Sequence, residues 1–314
     1  MKTVFLFYNS GSGGFVANLM IKNAIMNLWP DNEYKEIYEK YSNKEYYIPF
    51  LEKEKPDIII LQDFYIGLIE AAIEYKSKSK NKCKVLLFSF TPYEKNDYED
   101  SIDQFFVPYR ENEFLSLPKN CSYYNPPLEI SNFKIIKNYN NRKKNICTFA
   151  RLNGEKTNTN ILEFFKNEMI HYDYYAVKQL EYNNEQYHLK MLFDNKFCNL
   201  YEQVSRIELP LVLNNYKFHI LCSRECFSII TLEAMACGTI PILISNKENF
   251  DYELSWIPKN FGYKFTSTSD FKNNFYDVIN DKNNYYKSLR ESIYIRDNFN
   301  YGNFFYKVNK WITT

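Results

Sequence analysis

The sequence predicts an α/β protein made of two Rossmann-like domains, each built on a parallel sheet. Short apolar runs alternate with segments of helical period along all 314 residues, the pattern of stacked βα units. That length accommodates two separate cores. A polar, charged segment, "NYNNRKKN" at 138–145, interrupts the alternation near the middle, and a new strand starts at Ile146. The predicted division is therefore an N-terminal domain over 1–140, a C-terminal domain over 141–295, and a terminal segment, 296–314, whose apolar helical face packs back on the first domain.

The elements follow in order. In the first half the strands are "TVFLFY" (3–8), "DIIILQ" (57–62), "KVLLFSF" (84–90) and "QFFVPY" (104–109). Apolar residues at helical spacing predict helices over 15–29 and 65–75. In the second half the strands are "ICTFA" from 146, "HYDYYAV" (171–177), "FHILCS" (218–223) and "IPILIS" (240–245), with helices near 157–168, 228–237 and 270–290. The short, nearly continuous apolar strands are those of sheets covered on both faces. No internal repeat or low-complexity tract interrupts them.

Composition excludes several classes of function. Lys and Arg number 39 against 38 Asp and Glu, a formal charge of +1, so no overall electrostatic footprint marks a nucleic-acid binder. Seven cysteines (83, 121, 147, 198, 222, 226, 237) are scattered without a CxxC pair, and only three histidines could join them. This is the usage of a reduced, cytoplasmic chain without a zinc site. The first apolar run lacks the h-region and small-residue cleavage site of a leader and reads as a strand. No apolar run approaches the roughly 20 residues of a membrane-spanning helix. The run "YKSKSKNKCK" (75–84) reads as a solvated loop before a strand, with contact to anionic lipid as its alternative. "NDYEDSID" (96–103) reads as an acidic cluster rather than a metal-binding D-x-D.

The chemistry concentrates in "SRECFSIITLEAMACGTIPILIS" (223–245). Here a strand feeds a loop and then a helix, whose first N–H groups and positive dipole end suit a phosphate. Glu225 precedes the helix and Glu233 lies two turns into it. Both would repel a phosphate, but each carboxylate can accept hydrogen bonds from vicinal hydroxyls of a sugar or ribose. A sugar joined through a diphosphate to a nucleoside satisfies all three features. Gly238 then ends the helix and Pro241 opens the next strand.

These residues resemble the E-x7-E motif of retaining GT-B glycosyltransferases, above all the group 1 (GT4) family. Glu225, Phe227, Glu233, Ala234, Met235, Ala236, Gly238 and Pro241 match its pattern, while Cys226 and Ser228 stand where the family has glycines. The resemblance implies a GT-B fold, two Rossmann-like domains with parallel sheets facing a cleft. It implies that Glu225 faces the donor sugar, that Glu233 binds the ribose, and that the N–H groups of Phe227, Ser228 and Ile229 hold sugar and phosphate. "FARLNGEKTN" resembles the family's G-R-L-x-x-x-K-G, which makes Arg151 and Lys156 the pair that neutralises the diphosphate in place of a metal. "NSGSGGFVANLM" resembles the glycine-rich loop after the first strand, with Gly13 and Gly14 approaching the ligand. "CSYYNPPLEI" (121–130) resembles the segment in which Asn-Pro follows the last strand of the first domain. The family's N-domain histidine has no counterpart, since no histidine precedes His171.

The activity so implied is transfer of a sugar, with retention and without metal or other cofactor, from a nucleoside-diphosphate sugar of the UDP or GDP class to a glycan or lipid-linked acceptor. The protein would be cytoplasmic, with room for peripheral contact at a membrane. "YKFHILCS" together with "LEAMACGTIPI" also resembles inverting GT-B enzymes of fucosyltransferase or exostosin type, and the seven-residue spacing of the glutamates with the Arg151 and Lys156 pair favours the retaining family. A GT-B-like module that binds a sugar nucleotide or glycan without turnover is the non-enzymatic alternative.

Overall fold

The computed structural model describes residues 1–8, 13–39, 43–62, 65–79, 82–89, 98–108, 117–129, 131–151, 158–177, 196–201, 204–221, 228–244, 257–258 and 260–312. The chain forms two compact units, Met1–Glu129 with Phe299–Thr314, and Ile130–Asn298.

The first unit is a six-stranded parallel sheet in the order β2-β1-β3-β4-β5-β6. Its strands are β1 (Lys2–Tyr8), β2 (Glu33–Glu39), β3 (Ile58–Gln62), β4 (Lys84–Phe88), β5 (Gln104–Val107) and β6 (Cys121–Tyr123). Helices α1 (Gly13–Leu28), α2 (Lys44–Glu54) and α3 (Ile66–Lys78) connect the first four. The inner strands are apolar without alternation, as burial on both faces demands: every residue of β3 and β5 is buried. Chain order reverses at β1, which pairs β2 on one side and β3 on the other, so the crevice beyond the carboxyl ends of β1 and β3 is the topological switch point of this sheet. The terminal helix α9 (Tyr301–Ile312) belongs to this unit, and its Phe304 and Val308 enter the cluster of Phe5, Phe88, Phe106 and Tyr124.

The lysine-rich run at 75–84 is only in part a loop. Its first four residues are the last turn of α3, where Tyr75 is buried and Lys76 donates to Asp103 Oδ2 at 2.7 Å. Asp103 also accepts from Val85 N–H at 2.6 Å, so this member of the acidic cluster is committed to protein contacts.

The second unit repeats the plan, six parallel strands in the order β12-β11-β10-β7-β8-β9. They are β7 (Lys144–Arg151), β8 (Tyr172–Val177), β9 (Cys198–Tyr201), β10 (Tyr216–Leu221), β11 (Ile240–Ile244) and β12 (Tyr263–Phe265). The helices are α4 (Thr159–Asn167), α5 (Leu209–Leu213), α6 (Ile229–Ala236), α7 (Thr268–Asn280) and α8 (Asn284–Asn298). The helix expected over 270–290 is thus two helices. Asp281 breaks it by taking an extended conformation (φ −60°, ψ 118°), accepting from Asn283 N–H at 2.8 Å and from the Tyr263 hydroxyl at 2.6 Å. The side chain has an alternative to the helical ladder, and the chain turns there.

The polar segment at 138–145 lies within the second unit. Arg142 is 3% exposed and donates to the carbonyls of Lys137, Tyr216 and Cys237 and to the Thr239 hydroxyl. Asn214 ties down the preceding residues, accepting from Ile136 N–H at 2.7 Å and donating to Lys134 O at 3.0 Å. A segment that reads as solvated in composition is fastened by its polar groups.

Candidate functional site

Helix α6 follows β10 in the middle of the second sheet, so its N-terminus lies at the carboxyl edge of the strands, where open α/β sheets bind ligands. The helix is short and almost wholly buried, with residues 231–236 all inaccessible. Its carboxyl end is closed by protein groups. Ser292 donates to Ala236 O at 2.6 Å, Ser288 to Gly238 O at 2.5 Å and Arg142 to Cys237 O at 2.6 Å. Gly238 takes φ +76°, and a Cβ there would stand 2.9 Å from Ile135 Cγ1 and Ser288 Oγ, so the glycine of the motif is required by both conformation and space.

The amino end is built differently. Ser228 is the N-cap, in extended conformation, accepting from Thr231 N–H at 3.4 Å and from the Thr231 hydroxyl at 2.9 Å. Thr231 Oγ1 is 3.2 Å from His219 Nε2 on β10. Burial pushes the His219 imidazole down to about 4, against a smaller opposing pull from the Cys147 backbone, so it is neutral near pH 7. The first-turn N–H groups of Ile229 and Ile230 have no intrahelical acceptor by construction of a helix start. The described groups at this end are backbone donors and a hydrogen-bonded Ser-Thr-His chain with no fixed charge of its own.

Glu233 sits one turn further along α6 from the Ser-Thr pair and is 1% exposed. Both its oxygens are held by one guanidinium: Arg206 Nη1 donates to Oε2 at 2.8 Å and Nη2 to Oε1 at 2.5 Å. Desolvation raises the Glu233 pKa and Arg206 opposes it. Arg206 comes from the turn before α5, and its guanidinium lies 5.2 Å from the centre of the Phe133 ring. The motif reading singled out the carboxylate and missed its partner, because a separation of 27 positions carries no spacing signal.

The structure therefore brings Ser228, Ile229 and Glu233 onto one helix, and it ends β7 with Arg151 on the strand beside β10, at the same carboxyl edge. The Arg151 side chain, Lys156, Glu225 and Phe227 lie outside the described residues, as do Cys222 and Cys226. Gly13 and Gly14 belong to the first unit, where they open α1 immediately after β1, at that sheet's own switch point. In the second turn of α1 lies Asn18, 1% exposed, whose side-chain oxygen and nitrogen have no hydrogen-bond partner among the described residues.

Among the described residues no group of three or more His, Cys, Asp or Glu side chains could hold a metal ion. Cys83, Cys121, Cys147, Cys198 and Cys237 are free thiols, and burial pushes Cys237 up to about 12. Among the described residues no helix is long and apolar enough to cross a membrane.

No family model matches the chain, and no curated protein matches it in sequence. Solved structures do match it in fold. The sucrose-phosphate synthase of Thermosynechococcus elongatus superposes with a TM-score of 0.78 at 10% identity, covering 99% of this chain and 98% of that one. A glycosyltransferase from Rickettsia africae gives 0.72 at 11% identity, covering 98% and 97%. HepE of Anabaena, solved in complex with UDP and glucose, gives 0.74 at 9% identity, covering 100% and 99%. Similarity over whole chains at such identity shows a shared architecture, two parallel-sheet Rossmann-like domains of the GT-B type.

Proposed function

We propose that this protein is a glycosyltransferase that moves a sugar from a nucleoside-diphosphate sugar to a glycan or lipid-linked acceptor. The observation that carries the reading is the buried, ionically paired Glu233 in the second turn of a helix whose amino end faces the carboxyl edge of the second sheet. A carboxylate in that place serves vicinal hydroxyls, and the N–H groups ahead of it serve a diphosphate. Several solved structures of the same architecture carry glycosyltransferase or synthase names, and one holds UDP and glucose, which supports the same class of donor here.

In this reading Glu233 takes the ribose hydroxyls and Glu225 the donor sugar, with Phe227, Ser228 and Ile229 offering backbone N–H groups between them. Arg151 and Lys156 neutralise the diphosphate as it leaves, the role a metal fills elsewhere. The first unit takes the acceptor, with Gly13 and Gly14 allowing close approach to the ligand. The reaction breaks the bond from the sugar's anomeric carbon to the diphosphate oxygen and forms one to an acceptor hydroxyl oxygen on the same face, the hydroxyl proton passing to the departing diphosphate. UDP and GDP sugars are the donors we favour, and the site is cytoplasmic.

The test is a thermal-shift screen of UDP-, GDP-, ADP- and CMP-sugars without added metal, on the wild type, Glu233→Ala and Glu233→Gln. A ligand that binds only the native state at about 100 times its Kd adds about 2.7 kcal/mol of stability. One nucleotide class should raise the melting temperature of the wild type and neither variant. A folded wild type that responds to none of them would overturn the reading.

A further inference from the structure

We propose that Arg206 is the positioning residue of the nucleotide site: its fork holds Glu233 as an oriented carboxylate whose remaining lone pairs accept the vicinal hydroxyls of a nucleoside. The inference rests on the reading of Glu233 given above and assigns a role to a residue outside every motif of the chain.

The geometry is that of a bidentate pair. Two parallel N–H···O bonds, of 2.8 and 2.5 Å, fix the carboxylate plane against the guanidinium plane and use one lone pair on each oxygen. Each oxygen keeps a second lone pair, enough for a diol. The asymmetry of exposure is informative. The Glu233 side chain is 1% exposed and that of Arg206 is 44% exposed, so the carboxylate is buried and the guanidinium is its link to solvent.

The turn that carries Arg206 is fastened by its neighbours, and the guanidinium lies over a ring. Ser205 and Glu208 close the turn that carries it, the serine hydroxyl donating to Glu208 Oε2 at 2.7 Å and accepting from Glu208 N–H at 3.3 Å. Leu209 N–H donates to Ser205 O at 3.0 Å, continuing the turn into α5, where Pro210 sits in the first turn. The Phe133 ring, 3% exposed, lies 5.2 Å from the guanidinium carbon. A planar cation over an aromatic ring, on a capped turn and in a bidentate pair has less rotamer freedom to lose when a ligand arrives.

Removal of the guanidinium would leave a carboxylate buried without a counter-charge, and such a group protonates instead. The only charged group acting on Glu233 among the described residues is Arg206, and the Cys237 thiol nearby stays protonated. A protonated Glu233 offers a donor where the diol needs an acceptor. Arg206 thereby controls both the charge and the aim of Glu233 while touching the ligand through it.

The experiment compares the wild type, Arg206→Met, Arg206→Lys and the double variant Arg206→Met/Glu233→Gln. Binding of UDP, GDP and ADP, each beside its 2′-deoxy counterpart, is measured by calorimetry at about pH 6 and about pH 9. The wild type should prefer one ribonucleotide over its 2′-deoxy form by about tenfold at both pH values. Arg206→Met should lose that preference at the lower pH and regain part of it at the higher, as Glu233 ionises. Arg206→Lys should keep the pH-independence and lose part of the preference. A preference in Arg206→Met equal to the wild type at both pH values would overturn the proposal.

A second readout needs no ligand. The melting temperature of Arg206→Met should fall more steeply than that of the wild type as pH rises from about 5 to about 8, and the double variant should lose the extra slope. Parallel pH profiles for all three would overturn the role of Arg206 even if nucleotides bind. Failure of every nucleotide to bind the wild type, with the extra slope present, would refute the donor-site reading and leave the control of Glu233 by Arg206 standing.

Discussion

The backbone N–H of Gly262 donates to Glu291 Oε1 at 2.7 Å, and the second oxygen of that carboxyl is buried without a hydrogen-bond partner among the described residues. Glu291 lies on α8 and is 1% exposed. Gly262 has φ +61° and packs its α-carbon against Pro241, where a Cβ would lie 2.6 Å from the carbonyl oxygen. The pair ties α8 to the strand start of β12 at a position only glycine can fill.

Burial pushes the Glu291 carboxyl up to about 7, with Gly262 N–H, Lys287, Arg290 and Lys264 opposing. A folded pKa above the unfolded one means that the native state binds the proton more tightly. Its contribution to stability is complete below about pH 4.5 and is lost as pH rises to about 7, on the order of 3 kcal/mol in all. Glu291→Gln should remove that slope while keeping an acceptor for Gly262 N–H. Urea denaturation at about pH 5 and about pH 8 should show the variant gaining on the wild type by roughly that amount at the higher pH, and parallel behaviour would refute the assignment.

His219 should show the opposite slope. Its folded pKa, lowered to about 4 by burial, lies below the unfolded 6.5, so the native state resists protonation. Among the described residues the groups that act on it are the Thr231 hydroxyl, the Cys147 backbone and the Phe149 ring, none of them charged. Stability is lost as pH falls from about 6.5 toward about 4, again on the order of 3 kcal/mol. His219→Phe should flatten the acid limb of the stability profile. An unchanged acid limb would show that the imidazole is not the group titrating.

Arg142 is expected to tolerate no substitution. Arg142→Met leaves the buried Cys237 carbonyl without its donor and takes a donor from the carbonyls of Lys137 and Tyr216, the latter keeping the Thr239 hydroxyl, a loss of at least about 1–3 kcal/mol. Arg142→Lys should rescue little, since one ammonium does not span the guanidinium's acceptors. Hydrogen exchange should report lost protection in β10 and α6 with the first unit unchanged. Loss spread evenly over both units would contradict this placement.

Phe304 is the matching probe of the first unit. It is fully buried, with its ring 6.0 Å from both Phe88 and Tyr124. Phe304→Ala should cost about 3–5 kcal/mol and lower amide protection in β4 and α9 before any change in the second unit. Retained protection in α9 would mean that the terminal helix docks by other contacts.

The strands that periodicity alone located are the eight interior strands of the two sheets, β1, β3, β4 and β5 and then β7, β8, β10 and β11. Those it passed over are at the edges. β2 reads "EYKEIYE", β9 and β12 are three or four residues of mixed exposure, and β6 was reached only through the Asn-Pro that follows it. An interior strand is covered on both faces and is apolar along most of its length, whereas an edge strand is free to be short and polar. On α6, the stop at Gly238 was legible because a left-handed glycine acts within one helix, whereas the cap at Ser228 shows only in the structure.

What the sequence determined by itself was local: which runs of residues bury two faces, and where α6 starts and stops. The tertiary structure decided the rest. It chose Arg206 as the partner of Glu233, buried Arg142 in a segment of surface-like composition, and turned the chain at Asp281 where helical period continued. Those outcomes depend on groups far apart in sequence meeting where water is excluded, and there a charge is stable only beside the partner that the fold supplies.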